Sequence, residues 1–235
     1  MQRALLCASL ALAACRPDVP IVTWHSIGSA GDEFTVDDAA FAAQLDALQR
    51  AGFHPVSFRQ WLEHEDRGAP LPEKPILLTF DDGYRDALTV AVPALRARGM
   101  RATFFLVSRW MEGGPPGAAA RRYLTWEEAR ALVAAGMEIG SHGATHRRLP
   151  ELTEAQALEE LTASKRELET RLRTRVDVFA YPFNASRRWL RGVVRQAGYR
   201  AAVSGMDHGG ADRYELYRFG IQRGTSADDL LRAIR

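Results

Sequence analysis

The stretch that decides the fold is Leu77–Tyr84, with the sequence LLTFDDGY. An apolar run ends there in two adjacent carboxylates and a glycine. Because both faces of the run are apolar, it predicts a strand buried on both sides, as in a parallel sheet. The carboxyl ends of such strands form the edge where α/β proteins place their chemistry. Two neighbouring ionised carboxylates repel each other unless a cation binds one of them, so Asp81 and Asp82 predict a cation site.

A second motif, GSHGATH at 140–146, supplies further ligands for a cation. It follows a short, mostly apolar segment, and its two glycines favour a tight turn. Two neutral imidazoles with one carboxylate suit Zn²⁺ or another divalent first-row metal and leave positions open for water and substrate. Either motif alone is also compatible with surface loop histidines or with a helix cap. Both motifs at strand ends favour a metal site.

These two motifs, TFDDG at 79–83 and SHGATH at 141–146, resemble the first two motifs of the polysaccharide deacetylases, carbohydrate esterase family 4 with its NodB-homology domain. The resemblance extends from about Val19 to the C-terminus. It implies an α/β fold, a single-domain, distorted (β/α)7-type barrel. It also implies that Asp81 is the catalytic base and that the metal is held by Asp82, His142 and His146.

The third family motif is altered in this chain. The matching stretch is AYPFN at 180–184, in which alanine, phenylalanine and asparagine replace the usual arginine, tyrosine and glycine. The resemblance still implies that the backbone N–H of Phe183 holds the oxyanion. The missing arginine normally orients the base, and we expect Arg218, in LYRFGI at 216–221, to replace it.

The late family motif that carries the general acid is absent. Instead, the first predicted strand ends in IVTWHSI at 21–27, which resembles the opening of the branch that de-N-acetylates poly-N-acetylglucosamine. We therefore assign His25 as the general acid, with His208 as the second choice. Aromatic side chains are candidates for sugar stacking, although each is more often a core residue: Trp24, Trp110, Tyr181 and Phe183.

The sequence predicts a metal-dependent hydrolase that removes N-acetyl groups from a hexosamine-containing glycan and releases acetate. Zn²⁺ is the expected ion, with Co²⁺ or Ni²⁺ as alternatives, because this ligand set does not separate them. Three other functions stay open: a glycan O-acetyl esterase, a catalytically silent carbohydrate-binding relative, and an amidase or cyclic imidase acting on small molecules.

Composition and the N-terminus bound the organisation. The chain has 235 residues, and 31 basic against 29 acidic residues give a net charge of +2 without a basic stripe, which argues against nucleic acid as a partner. Residues 1–14 resemble a lipoprotein signal peptide, Cys15 would be lipidated and anchor the chain to a membrane, and 15–20 would be a tether. The catalytic domain is expected at 21–235, and the protein is expected to be exported to the bacterial cell envelope. The sequence does not indicate an oligomeric state.

Hydrophobic periodicity predicts alternating strands and helices, with about seven strands. Strands are predicted at about 21–24, 76–80, 103–107, just before the histidine motif, and at 177–181, 201–204 and 217–221. Helices are predicted at 36–51 with Thr35 as cap, at 58–64, from Tyr84 to Leu95, from a capping box at Thr125 to Ala135, at 153–173, at 186–196 and from Ala227.

Overall fold

The structure, a computed structural model, describes residues 19–111, 113–115, 123–205 and 212–234. In these ranges the strands are β1 (Ile21–Trp24), β2 (Ser26–Ile27), β3 (Thr35–Val36), β4 (His54–Pro55), β5 (Pro75–Phe80), β6 (Thr103–Leu106), β7 (Glu138–Ser141), β8 (Val178–Ala180), β9 (Ala201–Ser204), β10 (Leu216–Tyr217) and β11 (Phe219–Gly220). Most strand residues are buried, as expected for a sheet covered on both faces.

The α-helices alternate with these strands. They are α1 (Asp38–Arg50), α2 (Phe58–Arg67), α3 (Val92–Arg96), α4 (Trp126–Ala134), α5 (Glu154–Leu172), α6 (Arg188–Gln196) and α7 (Ala227–Ala233). Reciprocal capping boxes begin α2, α4, α5 and α7, including the predicted pair Thr125 and Glu128. Among the described residues, no helix combines the length and apolarity needed to cross a membrane.

The main sheet is parallel and nearly closed into a barrel. Its strand order is β10-β9-β8-β7-β6-β5-β1-β11, and the short strand β4 pairs with the first residues of β5. The two end strands are consecutive in the chain and are separated only by Arg218. One short segment therefore pairs with β9 through its first half and with β1 through its second half. Counting this segment once, seven strands surround the axis, as the predicted (β/α)7-type barrel requires.

Two apolar clusters lie on the two faces of the barrel wall. Trp24, Phe80 and Phe104 belong to the outer cluster, which α1 covers with Phe41 and other residues. Their rings stack across paired strands, with centroid distances of 5.4 and 4.8 Å. The alternate strand positions belong to the second cluster, which includes side chains of α2. This alternation assigns the second cluster to the barrel interior.

Two predicted helix starts differ from the structure. Thr35 belongs to β3, and α1 is instead capped by Asp37, whose side chain accepts a hydrogen bond from the N–H of Ala40. The predicted helix from Tyr84 contains a π-helical segment, Ala87–Ala91, before α3. Pro93 explains this segment, because it has no N–H to donate to the carbonyl four residues earlier.

The last predicted strand, 217–221, is interrupted at Arg218 and begins one residue earlier than expected. Local apolarity marked the strand, but it does not show that the segment changes partner halfway. The interruption matters for the site, because it leaves Arg218 between the two edges that the segment joins.

Candidate metal centre and active site

The polar residues predicted to carry chemistry gather at the carboxyl end of the barrel. His25 follows β1, Asp81 and Asp82 follow β5, and His142 follows β7. The final residues of β1 and β5 are paired in register, so these two strands end at the same level. Because all strands of the barrel wall are parallel, residues far apart in the chain meet at one rim.

The three predicted metal ligands form a compact triangle. Nε2 of His142 lies 3.3 Å from Nε2 of His146, and Oδ1 of Asp82 lies 3.5 and 3.3 Å from these two nitrogens. At metal–ligand distances of roughly 2.0–2.2 Å, two ligands of a tetrahedral Zn²⁺ are about 3.3–3.6 Å apart. Oδ1 of Asp82 is buried and accepts no hydrogen bond of good geometry. These residues therefore fit a divalent ion with an open coordination position.

The environment of His142 prepares its Nε2 for a metal. Its Nδ1 lies 2.8 Å from the carbonyl oxygen of Ala180, which can only accept, so Nδ1 carries the proton and Nε2 keeps its lone pair. Burial lowers the pKa of His142 to about 4, although Asp81 opposes this shift. The imidazole is therefore neutral at physiological pH, as a metal ligand must be.

The backbone is strained at several site residues. Positive φ angles outside glycine occur at six described residues, and these include Asp82 (69°), His146 (61°) and Phe183 (59°). The left-handed conformation costs a residue with a side chain roughly 1–2 kcal/mol. Such strain persists only where the surrounding structure imposes it, and it is concentrated at functional sites. For His146 that surrounding structure includes the rings of Trp110 and Phe183, whose centroids lie 4.8 and 4.5 Å from that of the imidazole.

Asp81 forms a buried bidentate pair with Arg218, the residue expected to replace the missing motif arginine. Nη1 of Arg218 donates to Oδ1 of Asp81 over 2.7 Å, and Nη2 donates to Oδ2. Nη1 also donates to the Thr23 hydroxyl, and Nη2 to the Asn184 side chain. Burial alone would raise the pKa of Asp81, but the charge and hydrogen bonds of Arg218, together with His142 and His25, outweigh burial and hold the pKa well below its ordinary value. Asp81 is therefore ionised.

His25 completes the group on the side of β1. Its Nε2 lies 3.9 Å from Oδ2 of Asp81, and its side chain is about one-fifth exposed, at 21%. Its Nδ1 is buried and has no hydrogen-bond partner. A ring nitrogen beside the buried carboxylate can exchange a proton with a molecule bound at the rim.

Glu160 of α5 holds the loop between the two histidines, a role that the sequence reasoning missed. Its carboxylate accepts hydrogen bonds from the backbone N–H of Thr145, over 2.5 Å, and from the Thr145 hydroxyl. Glu160 is only 8% exposed. The sequence did contain a signal for this role, because Glu160 lies on the apolar face of its helix, where an unpaired acid is rarely found.

The remaining predicted site residues differ in their exposure and in whether the structure describes them. Trp24 and Tyr181 are fully buried and cannot stack on a sugar, whereas Trp110 is half-buried and Phe183 is 55% exposed. Phe34, which the sequence reasoning did not consider, contacts the His25 ring at 5.0 Å. His208 and Cys15 lie outside the described residues, as do 1–14 and most of the expected tether.

Known proteins resemble this chain in sequence and in fold. The sequence pattern that defines the family described as polysaccharide deacetylase matches residues 68–202. The chain is 27% identical over 212 residues to the Bacillus subtilis protein YxkH, covering 88% of this chain and 73% of that protein. It is 31% identical over 133 residues to the poly-β-1,6-N-acetyl-D-glucosamine N-deacetylase of Escherichia coli, which corresponds to 52% of this chain and 20% of that protein.

A solved structure shares the fold. The Streptococcus pyogenes deacetylase PplD, solved in complex with acetate, superimposes with a TM-score of 0.82, covering 92% of this chain and 98% of that chain at 22% identity. The family match spans more than half of the sequence and contains Asp81 and all three residues of the triangle, but neither His25 nor Arg218. This chain belongs to the polysaccharide deacetylase family.

Proposed function

We propose that this protein is a metal-dependent deacetylase that removes N-acetyl groups from a hexosamine-containing polysaccharide and releases acetate. One observation carries the proposal: three metal-ligand atoms lie 3.3 to 3.5 Å apart beside a second carboxylate that is bonded to arginine and is not one of the three. The N-deacetylase of Escherichia coli named above supports a poly-N-acetylglucosamine substrate, although this chain spans only 20% of that protein.

The ligand set of Asp82, His142 and His146 suits Zn²⁺, with Co²⁺ or Ni²⁺ as alternatives. A bound ion would polarise the acetyl carbonyl and lower the pKa of the attacking water. The protein's own residues supply the remaining chemistry. Asp81, ionised and oriented by Arg218, accepts the proton that the attacking water loses.

Two further groups act on the substrate as the amide is hydrolysed. The backbone N–H of Phe183 donates to no acceptor in the described hydrogen bonds and is free to stabilise the developing oxyanion. His25 donates a proton to the departing nitrogen, because an amine leaves readily only when protonated. Water is consumed, the C–N bond breaks, and the products are acetate and a free amino sugar.

The test is acetate release by the Zn²⁺-loaded protein from poly-N-acetylglucosamine oligomers, peptidoglycan and acetylxylan. We expect release from the first substrate and no release after the metal is removed with a chelator. Release from acetylxylan alone would identify an O-acetyl esterase instead. A protein that binds glycan but releases no acetate from any of the three would be a catalytically silent relative.

We also propose that residues 1–14 are a lipoprotein signal peptide, that Cys15 is lipidated, and that 15–20 tether the domain at 21–235 to a membrane of the cell envelope. The apolar run before Cys15 supports this proposal. In a bacterial host, the full chain should incorporate labelled fatty acid and fractionate with membranes. The Cys15→Ala variant should do neither, and unchanged membrane fractionation of that variant would contradict the anchor.

A further inference from the structure

Two exposed phenylalanines flank the candidate active site. Large exposed apolar side chains are few in the described ranges: Phe34 (39%), Phe183 (55%), Trp189 (40%) and Tyr217 (47%). Single exposed apolar residues are common and need no explanation. Phe34 and Phe183 differ from such residues because each contacts an imidazole of the site, Phe34 the ring of His25 at 5.0 Å and Phe183 the ring of His146 at 4.5 Å.

The two rings stand on opposite sides of the barrel mouth. Phe34 contacts the residue that follows β1, and Phe183 follows β8. These strands are separated by three strands in one direction round the barrel and by two in the other. Between the rings lie His25, Asp81 and the metal ligands, with Asp81 Oδ2 3.9 Å from His25 Nε2 and 3.8 Å from His142 Nε2.

Both phenylalanines are held in place by backbone hydrogen bonds. The N–H of Phe34 donates to the Asp32 carboxylate over 2.9 Å, and its carbonyl accepts from Ser26. Phe183 lies in a tight turn in which the N–H of Asn184 donates to the Tyr181 carbonyl over 3.0 Å. Each ring is therefore presented to solvent by an ordered segment of backbone.

Polar groups accompany each ring. A cavity of about 250 Å³ is lined by Ser29 and Thr35, which lie on either side of Phe34 in the chain, but not by Phe34 itself. On the other side, the Arg148 guanidinium stands 5.2 Å from the Phe183 ring centroid. Exposed aromatic rings with polar groups nearby suit a pyranose, which has apolar C–H faces and a hydroxyl edge.

We propose that Phe34 and Phe183 stack on the sugar units on either side of the unit being deacetylated, so that the site takes an internal unit of a pyranose chain. The proposal rests on the function proposed above for its reaction. The occupant is a stretch of at least three linked sugars, with the acetylated unit over the metal ligands and one neighbour against each ring.

The test compares chain lengths in the Zn²⁺-loaded protein, with N-acetylglucosamine and its pentamer as substrates. Phe34→Ala should lower kcat/KM for the pentamer about tenfold, mainly through KM, because an aromatic contact contributes roughly that factor. The loss on the monomer should be much smaller. The matched control is Trp189→Ala, which removes an equally exposed ring on α6 and should change neither substrate. An equal loss on both substrates, or none on the pentamer, would overturn the proposal.

A binding measurement tests the stacking contacts independently of the deacetylation reaction. Pentamer affinity is measured by calorimetry in an Asp81→Asn background, with and without Phe34→Ala and Phe183→Leu, the latter of which keeps the backbone N–H. Each change should weaken binding about tenfold. If the protein binds the pentamer through these rings but releases no acetate, the proposed reaction fails and the stacking site stands. If neither variant alters pentamer affinity, or if the pentamer does not bind, the stacking site is refuted.

Discussion

At the scale of single residues, the two adjacent aspartates are separated by their partners. Asp81 is bonded to Arg218, whereas Asp82 directs an oxygen toward the imidazoles of His142 and His146. The positive φ of Asp82 lets two neighbouring side chains serve different neighbours. In the proposed reaction, these chemically identical residues thereby take different roles, one as proton acceptor and the other as metal ligand.

This separation predicts different losses in two matched variants. Asp82→Asn should lose metal binding and acetate release together, because a ligand is weakened. Asp81→Asn should keep the metal but lose at least about 100-fold in kcat, as expected when a general base is removed. Co²⁺ titration followed by absorption spectroscopy, together with an acetate assay, checks both. Equal Co²⁺ affinity in Asp82→Asn and the parent would remove Asp82 from the ligand set.

The Arg218 pair also predicts a large effect on stability. Arg218→Met should lower the free energy of unfolding by about 3–5 kcal/mol, because it leaves the Asp81 charge buried without its partner. Arg213→Met, at a partly exposed pair with Asp66, should cost no more than about 1 kcal/mol. Urea unfolding measures both.

A double variant isolates the cause of that effect. If the uncompensated charge is responsible, Asp81→Asn should restore much of the stability lost in Arg218→Met. Additive losses in the double variant would mean that the packing of Arg218, and not its charge, stabilises the barrel.

At the scale of elements, helix α5 supports the histidine loop that follows β7. Glu160 bonds Thr145, and the Ser164 hydroxyl is 2.8 Å from that of Ser141. The loop is also held from the side of β6, where the N–H of Ser108 donates to the Gly143 carbonyl. Two elements that provide no ligand thus determine where the two imidazoles lie.

We expect Glu160→Ala to weaken metal binding about 10- to 100-fold, the range usual for groups that orient metal ligands. The control is Glu159→Ala on the same helix, since Glu159 is exposed. Competition with a chromophoric chelator gives the dissociation constants, and circular dichroism checks that both variants keep their helices. Equal affinities in the two variants would show that the loop holds its shape without Glu160.

At the scale of the whole molecule, the barrel depends on contacts between distant segments. One of these joins the Asp86 carboxylate to the Ser26 hydroxyl, which donates to Oδ2 over 2.8 Å. Burial raises the pKa of Asp86 to about 6, although the Ser26 hydrogen bond opposes the shift. The folded protein therefore holds this proton more tightly than the unfolded chain does.

This raised pKa predicts a pH-dependent effect of Asp86→Asn. The stability that protonated Asp86 provides is complete below about pH 4 and is lost as the pH rises through about 6, a change of about 2–3 kcal/mol. Relative to the parent, Asp86→Asn should therefore become more stable by this amount between pH 4 and 7.5. Urea unfolding at several pH values measures it, with the exposed Asp228→Asn as control. A pH-independent difference between Asp86→Asn and the parent would contradict the prediction.

Local pattern in the sequence determined most elements of this protein. The apolar run at Ile76–Phe80, the alternating strands and helices and the capping box at Thr125 correspond to observed elements because burial, periodicity and capping act over a few neighbouring residues. The family motifs also identified three side chains that the structure brings into one triangle. The π-helical segment and the cap of α1 were missed, since each depends on competition between neighbouring local preferences.

Only the tertiary structure decided which distant residues meet. Arg218 reaches Asp81 across 137 positions of sequence because one segment joins both edges of the sheet. Glu160 and Phe34 became part of the site in the same way, through the packing of α5 and of the loop after β2. Hydrophobic patterning indicates which face of a helix or strand is buried. It does not indicate which other helix or strand covers that face. Closure of the barrel supplies that information, because it brings the ends of all its strands to a common rim.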